Sequence, residues 1–350
     1  MNEKNERIVL DVAFQPQVRT DRNTRSLMLD VIIALLPVLA VGVWQFGTHP
    51  LLTVACSVAA CVFFEWGYRK LLHKEPSIGD LSAVVTGLLL GLSMPPTAPA
   101  WIPVVGAFFA IVVVKQLYGG IGKNFLNPAL AGRAFLLSSY SIALSSWAVP
   151  NSLKGTVDGV TMATPLSYLY GDAAMPKYFS FPSLFLGNTP GSVGEVSTLI
   201  LLAAFVYLLV RKVISWRIPV SFVGTVFLLT LIFGRNGDHF AFALNNVLSG
   251  ALLLVAVFMA TDYSTSPVTI GGQLLFGVGC GAITVLIRYF GGFPEGTTYA
   301  VLIMNLCTWA IDKGFHRRQF GVSKADILAE QAAAQVAKAK AAKEKEALRK

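Results

Sequence analysis

The chain has 350 residues, of which 54% are hydrophobic and only 13% charged, and it carries a formal net charge of +9. A soluble domain of this length keeps much of its surface in water and has no interior large enough for so much apolar side chain, which excludes a soluble globular protein. The bilayer has to be its solvent.

Residues 1–26 are polar and basic and read as an interfacial lead-in. The first apolar stretch begins too far along to be a cleaved signal peptide, so the N-terminus is expected to be retained. Ten apolar stretches follow, at 27–46, 51–68, 81–94, 101–117, 128–147, 196–210, 218–233, 243–259, 274–288 and 298–311. A helix needs roughly 20 residues to cross the hydrocarbon, and several of these are shorter. Either their edges extend by a few residues or broken and tilted helices line a site inside the protein.

The expected fold is therefore an all-α polytopic membrane protein with about ten transmembrane helices. It divides into a first membrane half (27–147), a long loop (148–195), a second half (196–312) and a tail (313–350). The tail's Ala, Lys and Glu favour helix but offer only a weak apolar face, so it reads as a solvated or partner-facing extension.

Leu117-Tyr118-Gly119-Gly120 follows the fourth stretch and Tyr289-Phe290-Gly291-Gly292 the ninth. Five stretches separate them, an odd number, so two five-helix halves would be related by inverted topology. The polar turns 93–97 and 265–269, flanking the third and eighth stretches, are compatible with that repeat.

Charge sets the orientation. With the N-terminus in the cytoplasm, Lys4, Arg7, Arg19, Arg22, Arg25, Arg69, Lys70, Lys74, Lys115, Lys123, Arg133, Arg211, Lys212 and Arg217 fall on the cytoplasmic side. Only Lys154, Lys177, Arg235 and Arg288 fall opposite, a bias of 14 to 4 before the basic tail is counted. Both termini are then expected in the cytoplasm and the long loop outside the membrane. Charges distributed in this way report topology and argue against nucleic-acid binding.

Cys56, Cys61, Cys280 and Cys307 all lie in apolar stretches and read as packing residues, and no C-x-x-C pair or His cluster suggests a metal site. Asp30, Glu65, Arg133, Asp262 and Asp312 lie at or near stretch ends, where snorkelling to water is the inexpensive explanation.

Three polar segments carry the candidate chemistry. In the cytoplasmic loop 115–128, Gly119 and Gly120 permit left-handed backbone, successive amides could form an anion-holding nest, and Lys123 could offset a negative group. Asn124 and Asn127 read as caps for the helix that begins at Pro128.

The outer loop 148–195 is long where the other connections are short, and such length is more often functional than idle. Within it, Asp158-Gly159 can form a turn, and Thr161 and Thr164 stand three residues apart with Met162 and Ala163 between them, leaving a hydroxyl accessible. With no histidine nearby in sequence, a hydrolase triad is disfavoured. Read alone, Thr164 is a turn or cap residue before Pro165. In the third segment, 187–195, Ser192 and Glu195 fit a capping box, and the same amides and hydroxyls could receive an oxygen-rich ligand. Ten spans with inverted halves would also suit a secondary transporter or a purely structural membrane subunit.

Four segments together carry a resemblance: 115–129, D-G-V-T-M-A-T at 158–164, G-S-V-G-E at 191–195, and 291–305. They resemble the RnfD/NqrB family, which includes the D subunit of the Rnf electron-transport complex and the B subunit of the sodium-pumping NADH:quinone reductase. The likeness extends to about Phe315, and the length of the chain favours the Rnf type. The heptad follows the pattern D-x-x-[ST]-x-A-T, with Met162 where the family often has glycine.

The resemblance implies a membrane subunit of an ion-translocating ferredoxin:NAD oxidoreductase in a bacterial cytoplasmic membrane. A flavin transferase would join the phosphate of FMN to Thr164 Oγ1, with Asp158, Thr161 and Ala163 in the recognition motif. It also implies a non-covalent riboflavin nearer the cytoplasm. Thr164 would be an attachment point rather than a catalytic acid, base or hydride donor. The expected partners are Rnf subunits of the A, B, C, E and G types, the flavin transferase, and Na+ or H+ as the ion.

Overall fold

Asn23 opens the first helix with a reciprocal cap: its side chain accepts from Ser26 N at 2.9 Å while Ser26 Oγ accepts from Asn23 N at 3.2 Å. In this computed structural model the described residues are 23–150, 161–171, 176, 179–195, 197–235, 238–291 and 295–315. Asp158, Lys154, Lys177 and the tail beyond 315 lie outside them.

The helices run in the order α1 (Thr24–Phe46), α2 (His49–Leu71), α3 (Ser82–Leu92), α4 (Trp101–Phe108), α5 (Pro128–Ser139), α6 (Ser141–Leu144), α7 (Pro165–Tyr170), α8 (Phe181–Leu186), α9 (Thr198–Val210), α10 (Arg217–Ile232), α11 (His239–Leu248), α12 (Leu252–Leu254), α13 (Ile270–Phe290) and α14 (Thr297–Gly314). Two π-helical segments, Phe109–Gln116 and Val255–Met259, continue α4 and α12. Among the described residues the protein is all-helical apart from a single β-bridge, Ala148 to Thr161.

Among the described residues three helices, α1, α2 and α13, are long and apolar enough to cross a membrane. A fourth candidate is α11 with Leu252–Met259, bent by 59° at the break between them. Helices α3, α9 and α10 and the continuous Trp101–Gln116 are apolar but shorter. Leu36, Trp44, Phe63, Val206, Leu228, Leu286 and Trp309 are exposed, which in water would be an association hazard and in a bilayer matches the acyl chains.

Two expected spans come out differently. The stretch 128–147 stops being one helix at Tyr140, which leaves the helical region (φ −129°, ψ 42°), so that α6 is a separate single turn. The stretch 243–259 is broken at Ser249-Gly250, where Gly250 takes φ 75°, a left-handed conformation that suits glycine.

Glycine also sets the closest helix contacts. A Cβ on Gly87 or Gly91 of α3 would come within 2.6 and 2.9 Å of the Val58 and Val54 backbone of α2. On α13, Gly277 and Gly281 meet Ser221 and Thr225 of α10 just as closely. Helices without a hydrophobic driving force between them rely on such small-residue seams for dispersion contact.

Asp30, Glu65 and Arg133 do not snorkel. Glu65 is completely buried, its carboxylate 2.7 Å from Lys115 Nζ and accepting a further bond from Ser77 Oγ. Lys115 Nζ also donates to Ser82 Oγ at 2.6 Å. Asp30 lies 3.0 Å from Arg211 and accepts from Tyr207 at 3.2 Å, joining α1 to α9. Arg133 of α5 pairs with Glu295, just ahead of α14. Inward pairing prevails because each charge has an opposite partner on a neighbouring element, which offsets the cost of leaving water.

Candidate functional site

The Ala163-Thr164-Pro165 sequence dictates its own geometry. A residue before proline is pushed out of the helical region, and Thr164 is extended at φ −69°, ψ 156°, while Pro165 occupies the first turn of α7 without losing a needed hydrogen bond. Thr164 Oγ1 then caps α7, accepting from Ser167 N at 3.3 Å, with Ser167 Oγ 3.0 Å away.

The segment leading into this cap is held by a second strap of chain. Thr161 bridges to Ala148, Met162 N donates to Trp147 O at 2.9 Å, and Thr97 Oγ1 donates to Ser146 O at 2.7 Å. A cavity of about 550 Å³ adjoins these segments, and its wall includes Trp147, Thr161, Ala163, Thr164, Ser167, Glu295 and Tyr299. That volume falls in the range of small-molecule sites, roughly 300 to 1,000 Å³. Thr161 and Ala163 are exposed, but Thr164 is buried, so it meets the cavity rather than open solvent as the sequence had suggested.

A buried ionic cluster is linked to this cavity through Glu295, which lines it and accepts from Arg133 Nη2. Glu195 completes the cluster from the loop before α9, where Ser192 N donates to Glu195 Oε1 at 2.6 Å. Only this half of the expected capping box forms. Ser192 Oγ has no partner among the described residues, and the helix begins at Thr198. The reason is that Val193 N and Gly194 N donate instead to Met94 O and Leu92 O, at 3.2 and 2.7 Å, docking the loop onto the end of α3. Arg133 Nε and Nη1, Glu195 Oε2, Arg288 Nε and Nη2, and the hydroxyls of Ser249, Thr297 and Thr298 are likewise buried without partners among the described residues.

Burial away from water, reinforced by the Glu295 carboxylate, pushes the Glu195 carboxyl up to about 8 against the opposing pull of Arg133 and the Ser192 amide. The folded state therefore keeps a proton that the unfolded chain releases above the ordinary value of 4.5. The sign follows directly: wild-type stability falls as pH rises through the window from 4.5 to about 8. Glu195→Gln, which is neutral throughout, should flatten that fall, and thermal denaturation in detergent across the window checks it. Parallel melting curves for the two proteins would contradict a protonated Glu195.

The remaining candidates lie away from the Thr164 cavity, in the loop before α5. Gly119 and Gly120 adopt φ 113° and 94°, but their amides donate to Gln116 O and Lys115 O and are occupied in closing the turn. Lys123 is exposed. Asn124 Nδ2 donates to Leu126 O instead of capping α5. That cap comes from Asn127 Oδ1, which accepts from Ala129 N and Leu130 N, while Asn127 Nδ2 donates to Met259 O at 3.0 Å. Asn124, Asn127, Lys115 and Asp262 share a smaller cavity of about 90 Å³.

The fold thus brings Thr161, Ala163 and Thr164 to one cavity and places Ser192 and Glu195 in the adjoining ionic cluster. It puts Gly119, Gly120, Lys123 and Asn124 elsewhere. Sequence reasoning assigned no role to Ser167, Glu295 or Tyr299. Glu295 lay in plain view in the 291–305 segment, but nothing local tied it to Thr164.

A family model described as the NQR2, RnfD, RnfE family matches residues 11–321. The D subunit of the Na(+)-translocating ferredoxin:NAD(+) oxidoreductase complex of Acetobacterium woodii is 44% identical over 329 residues, covering 93% of this chain and 98% of that protein. Its counterpart in the proton-translocating ferredoxin:NAD(+) oxidoreductase complex of Clostridium ljungdahlii is 39% identical, with 90% and 97% covered. The D subunit of the ion-translocating oxidoreductase complex of Shewanella amazonensis is 37% identical, with 89% and 97% covered. On a match of this extent, the chain belongs to the NQR2, RnfD, RnfE family.

Proposed function

We propose that this chain is a membrane subunit of an ion-translocating electron-transport complex of the ferredoxin:NAD oxidoreductase type, and that it carries FMN joined through phosphate to Thr164. The observation that carries the site is the 550 Å³ cavity with Thr164 in its wall. The residues suit the group: a threonine oxygen at the edge, Trp147 and Tyr299 as aromatic surface, and Glu295 and Ser167 as polar contacts. Bound there, the flavin supplies reversible electron acceptance and donation. The protein's part is to tether it at Thr164, orient it against the wall and limit the access of water. Thr164 loses its hydroxyl proton once, on esterification, and neither gives nor takes one in electron transfer.

The cavity at Asn124, Asn127, Lys115 and Asp262, at about 90 Å³, is too small to seat a riboflavin, and its Lys115 ammonium is already held by Glu65 and Ser82.

Ten spans follow if α1, α2, α3, α4 with its π segment and α5 make one half, and α9, α10, α11 with α12, α13 and α14 make the other. The parallel in packing supports an inverted repeat: α2 lies against α3 and α4, and α10 against α11 and α13. Charge bias supports cytoplasmic termini and an outer FMN loop in a bacterial inner membrane, and setting aside the buried Lys115, Arg133 and Arg288 leaves its sign unchanged. Rnf-type subunits and a flavin transferase are the corresponding partners.

The direct test is mass spectrometry of the tryptic peptide containing Thr164, taken from complex produced together with the transferase. The expected mass includes FMN. An unmodified peptide from active complex would overturn the covalent assignment.

A further inference from the structure

Next to the Thr164 cavity is a second one of about 260 Å³, lined by Ser167, Tyr170, Gly171, Arg235, Arg288 and Tyr289 together with Gly291. We propose that this cavity is an anion site that seats the phosphate of the flavin carried on Thr164, and so decides how the ring enters the larger cavity. The inference rests on the flavin reading above and adds the group that would hold the phosphate.

Ser167 connects the two spaces. It lines both cavities, and its Oγ is 3.0 Å from Thr164 Oγ1, so a phosphate esterified at that oxygen would stand where the cavities meet. An ester oxygen keeps lone pairs, so the bond from Ser167 N that caps α7 can survive modification.

Arg288 supplies unmet donors. It is 2% exposed, and Nη1 donates to Asn246 O at 2.8 Å and to Asn246 Oδ1 at 3.2 Å, but Nε and Nη2 have no partner among the described residues. Glu295, a neighbouring carboxylate across Gly250, is already engaged by Arg133. A buried guanidinium with open donors is costly unless an acceptor reaches it, and phosphate oxygens match its fork.

Arg235 closes the cavity with a second cation. Its guanidinium lies 4.9 Å from the Tyr289 ring centre and 5.7 Å from that of Tyr170, and Nη1 donates to Tyr170 O at 3.4 Å. Both arginines belong to the small set that runs against the chain's charge bias. Cations on that side are few, and two of them converge on one cavity beside Thr164.

The phosphodiester of an anionic lipid has the same chemistry, and the experiment separates the two sources. Full-length protein produced without the flavin transferase, in neutral detergent, is titrated with FMN and with riboflavin by flavin fluorescence. FMN should bind about tenfold more tightly, as expected for charge-assisted bonds to one phosphate. Inorganic phosphate should weaken FMN binding and leave riboflavin binding unchanged.

Arg235→Gln should bring FMN close to riboflavin. This exposed position carries the test, because Arg288→Gln also removes the bond to Asn246 and could fail to fold. Equal affinities in the wild type, an undiminished FMN preference in Arg235→Gln, or no binding of either flavin overturns the anion site. So does an FMN preference that phosphatidylglycerol abolishes and phosphate does not, which would assign the cavity to lipid. The mass of the Thr164 peptide decides separately whether the covalent reading stands.

Discussion

Thr164→Val, produced together with the flavin transferase, is expected to lose all flavin fluorescence that survives denaturation, while the protein still folds. Valine keeps the shape of threonine and removes only the oxygen that the proposed phosphoester needs. Its structural cost is the α7 cap, about 1 kcal/mol for an N-cap hydroxyl. The Ala148–Thr161 bridge, the Met162 to Trp147 bond and the rest of the cavity wall do not depend on that oxygen. Thr164→Ser keeps both the hydroxyl and the cap and should retain part of the label. Covalent flavin persisting in the valine protein would move the attachment to another residue.

Lys115→Met is expected to be the most damaging single change to stability among the buried pairs. It leaves the Glu65 carboxylate, 0% exposed, without its cation, and Ser82 Oγ without its donor. Removing one member of a buried ion pair costs about 3–5 kcal/mol, because the remaining charge stays desolvated. The double variant Glu65→Leu with Lys115→Met should recover most of that loss, since no charge is then stranded. Thermal denaturation of the purified protein in detergent measures both. Equal melting of Lys115→Met and wild type would show that Glu65 reaches water.

Much of this architecture was legible in the sequence because a bilayer imposes coarse rules on composition. Apolar stretches gave helices near their expected places, and Asn127-Pro128 and Thr164-Pro165 produced the caps that their residue types favour. The Ser249-Gly250 break uses a left-handed glycine that no periodicity marks. The other failures have a shared cause. Val193 and Gly194 turn their amides to Met94 and Leu92, and Tyr140, where α5 ends, packs its ring against Trp101, contacts with neighbours distant in the chain. The same holds for Glu65 and Arg133, whose charges look like span-end residues until Lys115 and Glu295 are seen beside them.

By itself the sequence determined that the chain is a helical membrane protein, that its positive charge is strongly sided, and that Thr164 lies in an attachment-like motif before a proline. The first two follow from composition and charge placement, and the proline from local sequence; the attachment reading of the motif is what the family resemblance implies. Only the tertiary structure decided that Thr164 borders a ligand-sized cavity, that Glu295 and Tyr299 share its wall, and that Arg288 stands nearby with open donors. Thr164 and Glu295 are far apart in the chain and line one cavity only because the α5–α6 end, the α7 cap and the start of α14 all border it. Local sequence rules say nothing about such a meeting.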